Sequence, residues 1–275
     1  MRPDGKRVKN LSAIQRITPY LMKTKHESLV YFNQIVAVNA AFDLVARLNR
    51  ESGKKEYTLF TVILTAMVRI GKEYPELGRF FVGKRLYERN EIVFSFTAKT
   101  SREEDSKTVV VKVRFSGNEK MKDVAEKINR EKEAISTASD DTAGDSDRIL
   151  RLFFTLPSFI RSLFFTLLKG LNLCNGLPKS MIDSDPFFTA CYIANLGSIG
   201  LGAPFHHLYE WGTASLFLAI GKAYALPVQT ASKELAFANV IDLRFTLDDR
   251  ITDGLYCSRA LEKLKYLIEH PEELL

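Results

Sequence analysis

The chain has 275 residues, of which 46% are hydrophobic and 26% are charged. This composition is typical of a globular domain and excludes a disordered, collagen-like or disulfide-scaffold protein. The three cysteines show no CxxC spacing, so we expect a reducing, cytoplasmic location and no bound metal. The net charge of +6 would attract an anion, but no basic stripe indicates a nucleic-acid partner. No uncharged apolar run reaches the roughly 18 residues that a transmembrane helix needs.

The first half of the chain alternates helical and strand patterns. Ser12 is a suitable N-cap for a helix at 12–17, and Pro19 is expected to interrupt that helix. The further predicted elements are a strand at 29–38, helices at 42–51 and 59–73, a hairpin at 80–88, and strands at 92–99 and 108–115.

The second half continues with a helix at 121–136 and a loop rich in Ser, Thr, Asp and Gly at 137–147. The remaining predicted elements are apolar helices at 149–156 and 158–173, strands at 189–195, 215–222 and 239–247, and a helix at 255–269. Helices and strands alternate irregularly, which favours an α/β domain with a mixed sheet over a doubly wound parallel one.

The segment 149–173 is rich in Phe and Leu and carries only basic charges. Three interpretations remain open for it. It is a buried helical insertion, it covers an acyl site or a subunit interface, or it is a basic amphipathic helix that contacts an anionic membrane or a hydrophobic partner.

Three motifs follow one another in a fixed order along the chain. Glu-Tyr-Pro-Glu-Leu occurs at 73–77, Ile-Ala-Asn-Leu-Gly-Ser at 193–198, and Asp-Asp-Arg-Ile-Thr-Asp-Gly at 248–254. Together they resemble the catalytic domain of the dihydrolipoyl acyltransferases of 2-oxo acid dehydrogenase complexes, in the chloramphenicol acetyltransferase-like superfamily. That family carries hPELN, ISNLG and DHRxxDG motifs, and the resemblance extends from about Ser12 to Leu275.

The resemblance implies a two-layer α/β sandwich that forms homotrimers with active sites between subunits. It also implies acyl transfer between coenzyme A and a thiol or hydroxyl. In the family the signature histidine removes the thiol proton, and a hydroxyl on the ISN strand helps to hold the oxyanion. Carried over by position, Asp248, Arg250, Asp253 and Gly254 form the structural loop of the active site.

This sequence departs from the family at two positions. Asp249 occupies the place of the signature histidine, and Ala194 occupies that of the serine. A carboxylate with an ordinary pKa near ~4 is a poor base for a thiol of pKa near ~8.5 unless burial raises it. The mechanism that the resemblance implies therefore cannot operate unchanged.

A replacement base is predicted just after the second motif. His206 or His207 would act as the base, with Asp249 or Glu210 orienting it. The alternative is that the two histidines cap a turn and pack in an aromatic cluster. Ser198 could supply the missing hydroxyl, because an offset of four from Ala194 keeps the same face of a strand; the alternative is that Gly197 bends the chain there.

The other candidate residues have less specific roles. Asn195 is expected to position the substrate or oxyanion together with Ser198. His26 and His270 are interpreted as surface residues without partners. Cys191 and Cys257 are interpreted as buried structural thiols rather than nucleophiles.

We therefore expect a single acyltransferase-like domain over 1–275 with a helical insertion at about 140–186, and no lipoyl or subunit-binding domain. The predicted function is coenzyme A-dependent acyl transfer to a thiol, hydroxyl or amine, with an acyl donor and an acceptor as small-molecule partners. The alternative is a catalytically inactive trimeric scaffold, or a relative that binds acyl-CoA or another hydrophobic ligand.

Overall fold

The computed structural model describes residues 2–99, 108–141, 153–229 and 235–275. The helices in these ranges are α1 (Ala13–Leu21), α2 (Asn39–Ser52), α3 (Leu59–Glu73), α4 (Met121–Asp141), α5 (Ser158–Leu173), α6 (Lys179–Ser184) and α7 (Gly254–Glu269). The strands are β1 (Gly5–Arg7), β2 (Leu29–Ala37), β3 (Phe80–Val82), β4 (Arg85–Arg89), β5 (Ile92–Lys99), β6 (Thr108–Phe115), β7 (Cys191–Asn195), β8 (Leu216–Ile220), β9 (Tyr224–Gln229) and β10 (Leu235–Asp248).

A seven-stranded mixed sheet forms the centre of the fold. Its order is β2-β10-β8-β7-β5-β6, and β9 pairs with the first half of β10. β7 runs parallel to β5 and β8, whereas the other pairs are antiparallel. β1, β4 and β3 form a small separate sheet. The predicted α/β class with a mixed sheet is confirmed.

The two faces of the large sheet bury different sets of side chains. Leu216, Leu218 and Ile220 of β8 point into the main core, which also contains the apolar sides of α3 and α7. Phe217 and Ala219 alternate with them and lie in a smaller cluster on the opposite face. The chain between β7 and β8 supplies part of that second cluster.

Most element boundaries agree with the sequence pattern. The bounds predicted for α3, β5, β6 and α5 are confirmed. Pro19 does not interrupt α1, because the helix has only two residues left after it and loses little by lacking one N–H donor. β10 begins at Leu235 rather than 239, and the pattern missed β1, β9 and α6. Of the predicted loop at 137–147, residues 137–141 belong to α4, and the rest lies outside the described residues.

The interpretation of α5 as a buried helix is wrong. No residue of this helix is buried, although it carries nine Phe, Leu or Ile residues. Its C-terminal end is held to the body of the protein by Arg2, whose Nη1 donates to Asn172 Oδ1 at 2.8 Å. Residues 149–152 of the same predicted segment lie outside the described residues. Within the described ranges, no helix combines the length and the apolar character needed to cross a membrane.

Candidate active site

The loop after β10, which we call the signature loop (residues 248–254), is organised by a buried ion pair. Arg250 binds Asp248 through two contacts, Nε to Oδ1 at 2.8 Å and Nη2 to Oδ2 at 2.7 Å. Ser28 Oγ also donates to Asp248 Oδ1, and Arg250 Nη1 donates to the carbonyl of Met22. Asp248 and Arg250 are almost fully buried. Since nearly every polar atom of this pair has a protein partner, the pair holds the loop rather than reacting with a ligand.

The rest of the signature loop joins the first motif of the sequence. Thr252 Oγ1 donates to Glu76 Oε2 at 2.8 Å, and Tyr256 Oη accepts from the Glu76 amide. Asp253 caps α7 by accepting from the Tyr256 amide at 2.9 Å. The turn at Pro75–Gly78 and the signature loop are therefore one structural unit.

Asp249 stands apart from the buried pair. Its amide donates to the carbonyl of Ser28 at 2.8 Å, but its side chain is exposed. Within the described part of the chain, its carboxylate has no hydrogen bond or ion pair with His206 or His207. Asp249 therefore lacks the burial that would make it a strong base. Within one chain, it also does not orient His206 or His207 as predicted.

A row of stacked rings lies at the same end of the sheet. We call His26, His207 and His206 the histidine row; it continues onto Phe217 of β8. The ring centroids of successive members are 5.6, 4.5 and 4.1 Å apart, and their planes lie within 25° of parallel. The carbonyl of His206 accepts from Thr246 Oγ1. Thr246 lies on β10 two residues before Asp248, so the row is close to the start of the signature loop.

His26 carries the carboxylate partner that was predicted for its neighbours. Its Nδ1 lies 2.7 Å from Glu210 Oε1, and the same oxygen accepts from its amide at 3.1 Å. Because a carboxylate can only accept, Nδ1 bears the proton and Nε2 of the neutral ring is free to act as a base. The interpretation of His26 as a residue without partners is therefore wrong, although its side chain is exposed.

The pKa of Glu210 agrees with this pairing. Burial raises it, but the hydrogen bonds from His26 and the nearby charges of Lys25 and His26 outweigh burial, so the pKa lies below its ordinary value. Glu210 is therefore ionised at neutral pH and can stabilise a protonated His26 ring.

The two predicted histidines have other partners. His206 Nδ1 donates to the carbonyl of His207 at 2.8 Å, and its ring lies between those of His207 and Phe217. Burial lowers the pKa of His207, and the neighbouring His206 and His26 lower it further. The stacked rings agree with the alternative prediction that His206 and His207 pack in an aromatic cluster. The role of either histidine as a base stays a prediction.

Lys25 connects the histidine row to the signature loop. Its buried Nζ donates to the carbonyls of Tyr209 at 2.8 Å and Gly212 at 3.2 Å. Burial lowers its pKa to about 8, against the opposing attraction of Asp248 and Glu210. No local motif marked Lys25, because its partners lie at least 184 positions away in the sequence. Glu210 was predicted as the partner of His206 or His207, whereas the structure pairs it with His26.

Asn195 and Ser198 lie at the other end of the sheet. Asn195 pairs with Ile220, whereas Leu216 at the start of β8 pairs with Leu247 just before the signature loop. Four residues of strand separate these two levels by about 13 Å. Within one chain, these two residues therefore do not meet the signature loop.

The predicted placement of Ser198 on the face of Ala194 is wrong. β7 ends at Asn195, and a 3-10 turn follows over Leu196–Ile199, so the two-residue period of a strand no longer applies. Ser198 Oγ instead donates to the carbonyl of Asn195 at 2.7 Å. The turn requires glycine at 197, since a Cβ there would lie 2.5 Å from the carbonyl oxygen of Gly221.

The two internal cysteines have the chemistry of structural thiols. Cys191 and Cys257 are buried. Burial raises the pKa of Cys191 well above its usual range, and burial together with Asp249 raises that of Cys257 to about 11. A thiol that stays protonated at neutral pH is a poor nucleophile, which agrees with their interpretation as structural residues.

A cavity of about 560 Å³ lies on the helical side of the sheet. Its apolar wall includes Met67, Phe94 and Leu216, and its rim includes Lys72 and Arg114. Because Leu216 and Phe217 point to opposite faces, the sheet separates this cavity from the histidine row. The cavity is therefore not an extension of the candidate site.

The model of the family "2-oxoacid dehydrogenases acyltransferase (catalytic domain)" matches residues 188–275. A probable dihydrolipoamide acetyltransferase of Listeria monocytogenes aligns over 97% of this chain and 95% of its own, with TM-score 0.59 and 15% identity. This chain has the acyltransferase catalytic-domain fold.

Other solved structures agree. The dihydrolipoamide acetyltransferase of Azotobacter vinelandii aligns over 97% of this chain and 93% of its own, with TM-score 0.57 and 15% identity. A chloramphenicol acetyltransferase aligns over 96% and 99%, with TM-score 0.52 and 11% identity. No curated protein matches the chain in sequence. The resemblance inferred from the three motifs is thus confirmed at the level of fold.

The family match covers the part of this acyltransferase-like chain that carries both departures. β7, β8, β10, the signature loop and α7 all lie within 188–275. Asp249 and Ala194 lie within it too, whereas His26 lies outside it. The histidine with a carboxylate partner is therefore supplied by a segment that the family model does not cover.

Proposed function

We propose that this chain transfers an acyl group from coenzyme A to a thiol, hydroxyl or amine acceptor, with His26 as the base in place of the signature histidine. The observation that carries the proposal is the contact of 2.7 Å between His26 Nδ1 and Glu210 Oε1 beside the signature loop. A histidine held in one tautomer by a carboxylate, with its second nitrogen open to solvent, is a recurring arrangement for general-base catalysis.

In the proposed reaction, Nε2 of His26 accepts the proton of the acceptor group as that group attacks the thioester carbonyl. A new bond forms between the acceptor and the acyl carbon, and the carbon–sulfur bond to coenzyme A breaks. The coenzyme A thiolate leaves and takes the proton back from His26. Glu210 stabilises the charged ring between these steps, and His207, whose pKa is lowered, stays neutral beside it.

We further propose that the protein acts as a homotrimer in which two copies complete each site. Asn195 and Ser198 lie about 13 Å or more along the sheet from the level of the signature loop of their own chain. A second copy could bring its Asn195 to the histidine row of the first. In that arrangement Asn195, the last residue of β7, would position the acyl group.

The test measures turnover of acetyl-CoA and longer acyl-CoAs from the release of free thiol. Calorimetry measures the binding of the same compounds. General-base catalysis contributes about 10²–10⁴ in rate, so we expect His26→Ala to lose at least a hundredfold in kcat. Glu210→Gln should lose less, since it removes the orienting charge but leaves the ring. His270→Ala is the matched control, because His270 stacks on Tyr266 away from the row and should retain full turnover.

Three outcomes would overturn the assignment of the base. Unchanged turnover in His26→Ala would exclude His26, and loss confined to His206→Ala or His207→Ala would return the role to one of those rings. Loss confined to Asp249→Asn would return the role to the signature position.

The arrangement in two copies has its own test. Mixing the inactive His26→Ala protein with an inactive Asn195→Ala protein should restore part of the activity, since some hybrid sites would contain both native residues. Mass photometry should give three chains per particle. A monomer, or mixtures that remain inactive, would contradict the shared site.

The second candidate function is an acyl-CoA-binding relative without catalysis. The exposed side chain of Asp249 at the signature position favours it, because that position supplies the base in the family which the chain resembles. Binding of acyl-CoA without turnover by any of the variants would support this function and exclude the first.

A further inference from the structure

The helix α5 turns its apolar face away from its own protein. Phe159, Leu163, Leu167 and Leu171 follow one another every four residues, and all four are exposed by 46–70%. Ile160 and Phe164 flank this row and are exposed as well. A helix that packs on its own domain shows the reverse arrangement, with the apolar stripe inward. Within the described part of the chain, nothing buries this row, so it is open to a partner.

The inward side of α5 is its more polar edge. The residues of the helix that are partly covered are Arg161, Leu168 and Asn172. Leu168 packs against a small cluster that contains Leu177, and Asn172 accepts from Arg2. The body of the protein thus holds α5 along one side, and this contact fixes the direction in which the apolar row points.

The charge around α5 selects the kind of partner. The sequence from Arg148 to Ile182 contains five basic residues and no acidic one. Within α5 the two charges are Arg161 and Lys169, and Lys169 is exposed. Basic residues beside exposed Phe and Leu are the pattern of helices that lie in the interface of an anionic bilayer. Packing of α5 against α5 of a second copy would bring the same positive charges together, which is unfavourable.

We propose that α5 is a peripheral membrane anchor that binds anionic lipid surfaces with its Phe159–Leu171 side. The helix has 16 residues and is about 24 Å long, which is shorter than the roughly 30 Å of the hydrocarbon core. It lies in the plane of the interface with Phe159, Leu163 and Leu167 among the acyl chains. Lys169, which is exposed, lies at the level of the lipid phosphates.

The test is co-sedimentation of the full chain with vesicles of phosphatidylcholine, with and without phosphatidylglycerol. We expect at least tenfold tighter binding to the anionic vesicles, weakened by salt. Leu163→Ser with Leu167→Ser should abolish binding, and Lys169→Gln should weaken it by about fivefold. These positions are exposed, so circular dichroism and the thermal midpoint should match the wild-type protein.

The matched control is Phe237→Ser. Phe237 of β10 is 71% exposed, compared with 70% for Phe159, but it lies outside the basic segment. This variant should bind vesicles as the wild type does, whereas Phe159→Ser should bind several times more weakly. Equal binding by all variants, or no binding to anionic vesicles, would overturn the proposal. A change of oligomeric state in the α5 variants without vesicle binding would also overturn it, and would assign the face to a second copy. None of these outcomes depends on acyl transfer.

Discussion

The signature loop and the histidine row lie side by side but differ in how their polar atoms are used. In the loop, Asp248 and Arg250 are buried and bind each other through two contacts. In the row, His26 is open to solvent and has one carboxylate partner. The loop retains the structural half of the family motif, and the row contains groups that can exchange a proton. The buried ion pair is thus kept although Asp249 stands at the signature position, and the proposed base, His26, belongs to another segment.

The largest expected effect comes from breaking the ion pair of the loop. Asp248→Asn leaves the buried guanidinium of Arg250 without a counter-charge, and loss of one partner of a buried pair costs about 3–5 kcal/mol. Denaturant unfolding should show this loss. The control is Glu272→Gln. Both carboxylate oxygens of Glu272 accept from Arg47 Nη2, at 2.8–2.9 Å, but this pair is exposed. Its loss should therefore change stability little. Equal losses would show that the loop pair is no more structural than a surface contact.

The next largest effect on stability is expected at Gly212, in the segment that carries His206 and His207. Gly212 has φ +79°, and a Cβ there would lie 2.3 Å from the carbonyl oxygen of Phe187. Gly200 has the same φ, with no atom within 4 Å of an added Cβ. Gly200→Ala should therefore cost about 1–2 kcal/mol for the left-handed backbone alone. Gly212→Ala should cost clearly more in the same unfolding measurement, and equal costs would mean that the segment carrying the row moves freely.

The two regions also differ in how much the sequence revealed. The bounds of α3, β5 and β6 could be predicted because hydrophobic periodicity is local. The family resemblance implied a structural role for Asp248, Arg250 and Asp253, because its motif places them within one heptapeptide. The structure shows Asp248 and Arg250 as an ion pair and Asp253 as a helix cap rather than a salt-bridge partner. The pairing of His26 with Glu210 could not be predicted in this way. The two residues are 184 positions apart, and the segment that carries His26 is placed by the pairing of β2 with β10.

The orientation of α5 was hidden for a different reason. The spacing of Phe159, Leu163 and Leu167 predicts an amphipathic helix, but the same spacing fits a helix that faces inward or outward. Only the position of Arg2 and of the Leu177 cluster decides which side the body occupies. For the same physical reason, Ser198 was misplaced: a strand pattern predicts a face only as far as the strand extends, and β7 ends at Asn195.

A smaller effect, dependent on pH, should appear at Lys25, which joins the loop to the row. Its pKa is lowered to about 8 in the folded protein, whereas an unfolded lysine titrates near ~10.4. Between these values the unfolded chain binds more protons, so stability rises as pH increases from about 8 to about 10.4. The gain is on the order of 2–3 kcal/mol.

Lys25→Met should lose this slope. Unfolding of both proteins across this pH range measures the difference between them, and contributions from other groups cancel. Parallel slopes would mean that Lys25 is solvated and does not tie the two regions together.

The smallest expected effect belongs to His207, in the middle of the row. Burial, His206 and His26 lower its pKa below 6.5. In the interval between the lowered and the ordinary value the unfolded chain binds more protons, so stability falls as pH decreases through this interval. His207→Phe preserves the stacking and should remove that fall. Ring titration by NMR provides a second measurement, in which His206→Phe should raise the pKa of His207. A pKa of His207 that does not change would mean that the histidines titrate independently. The row would then be a stack of rings without electrostatic coupling between them.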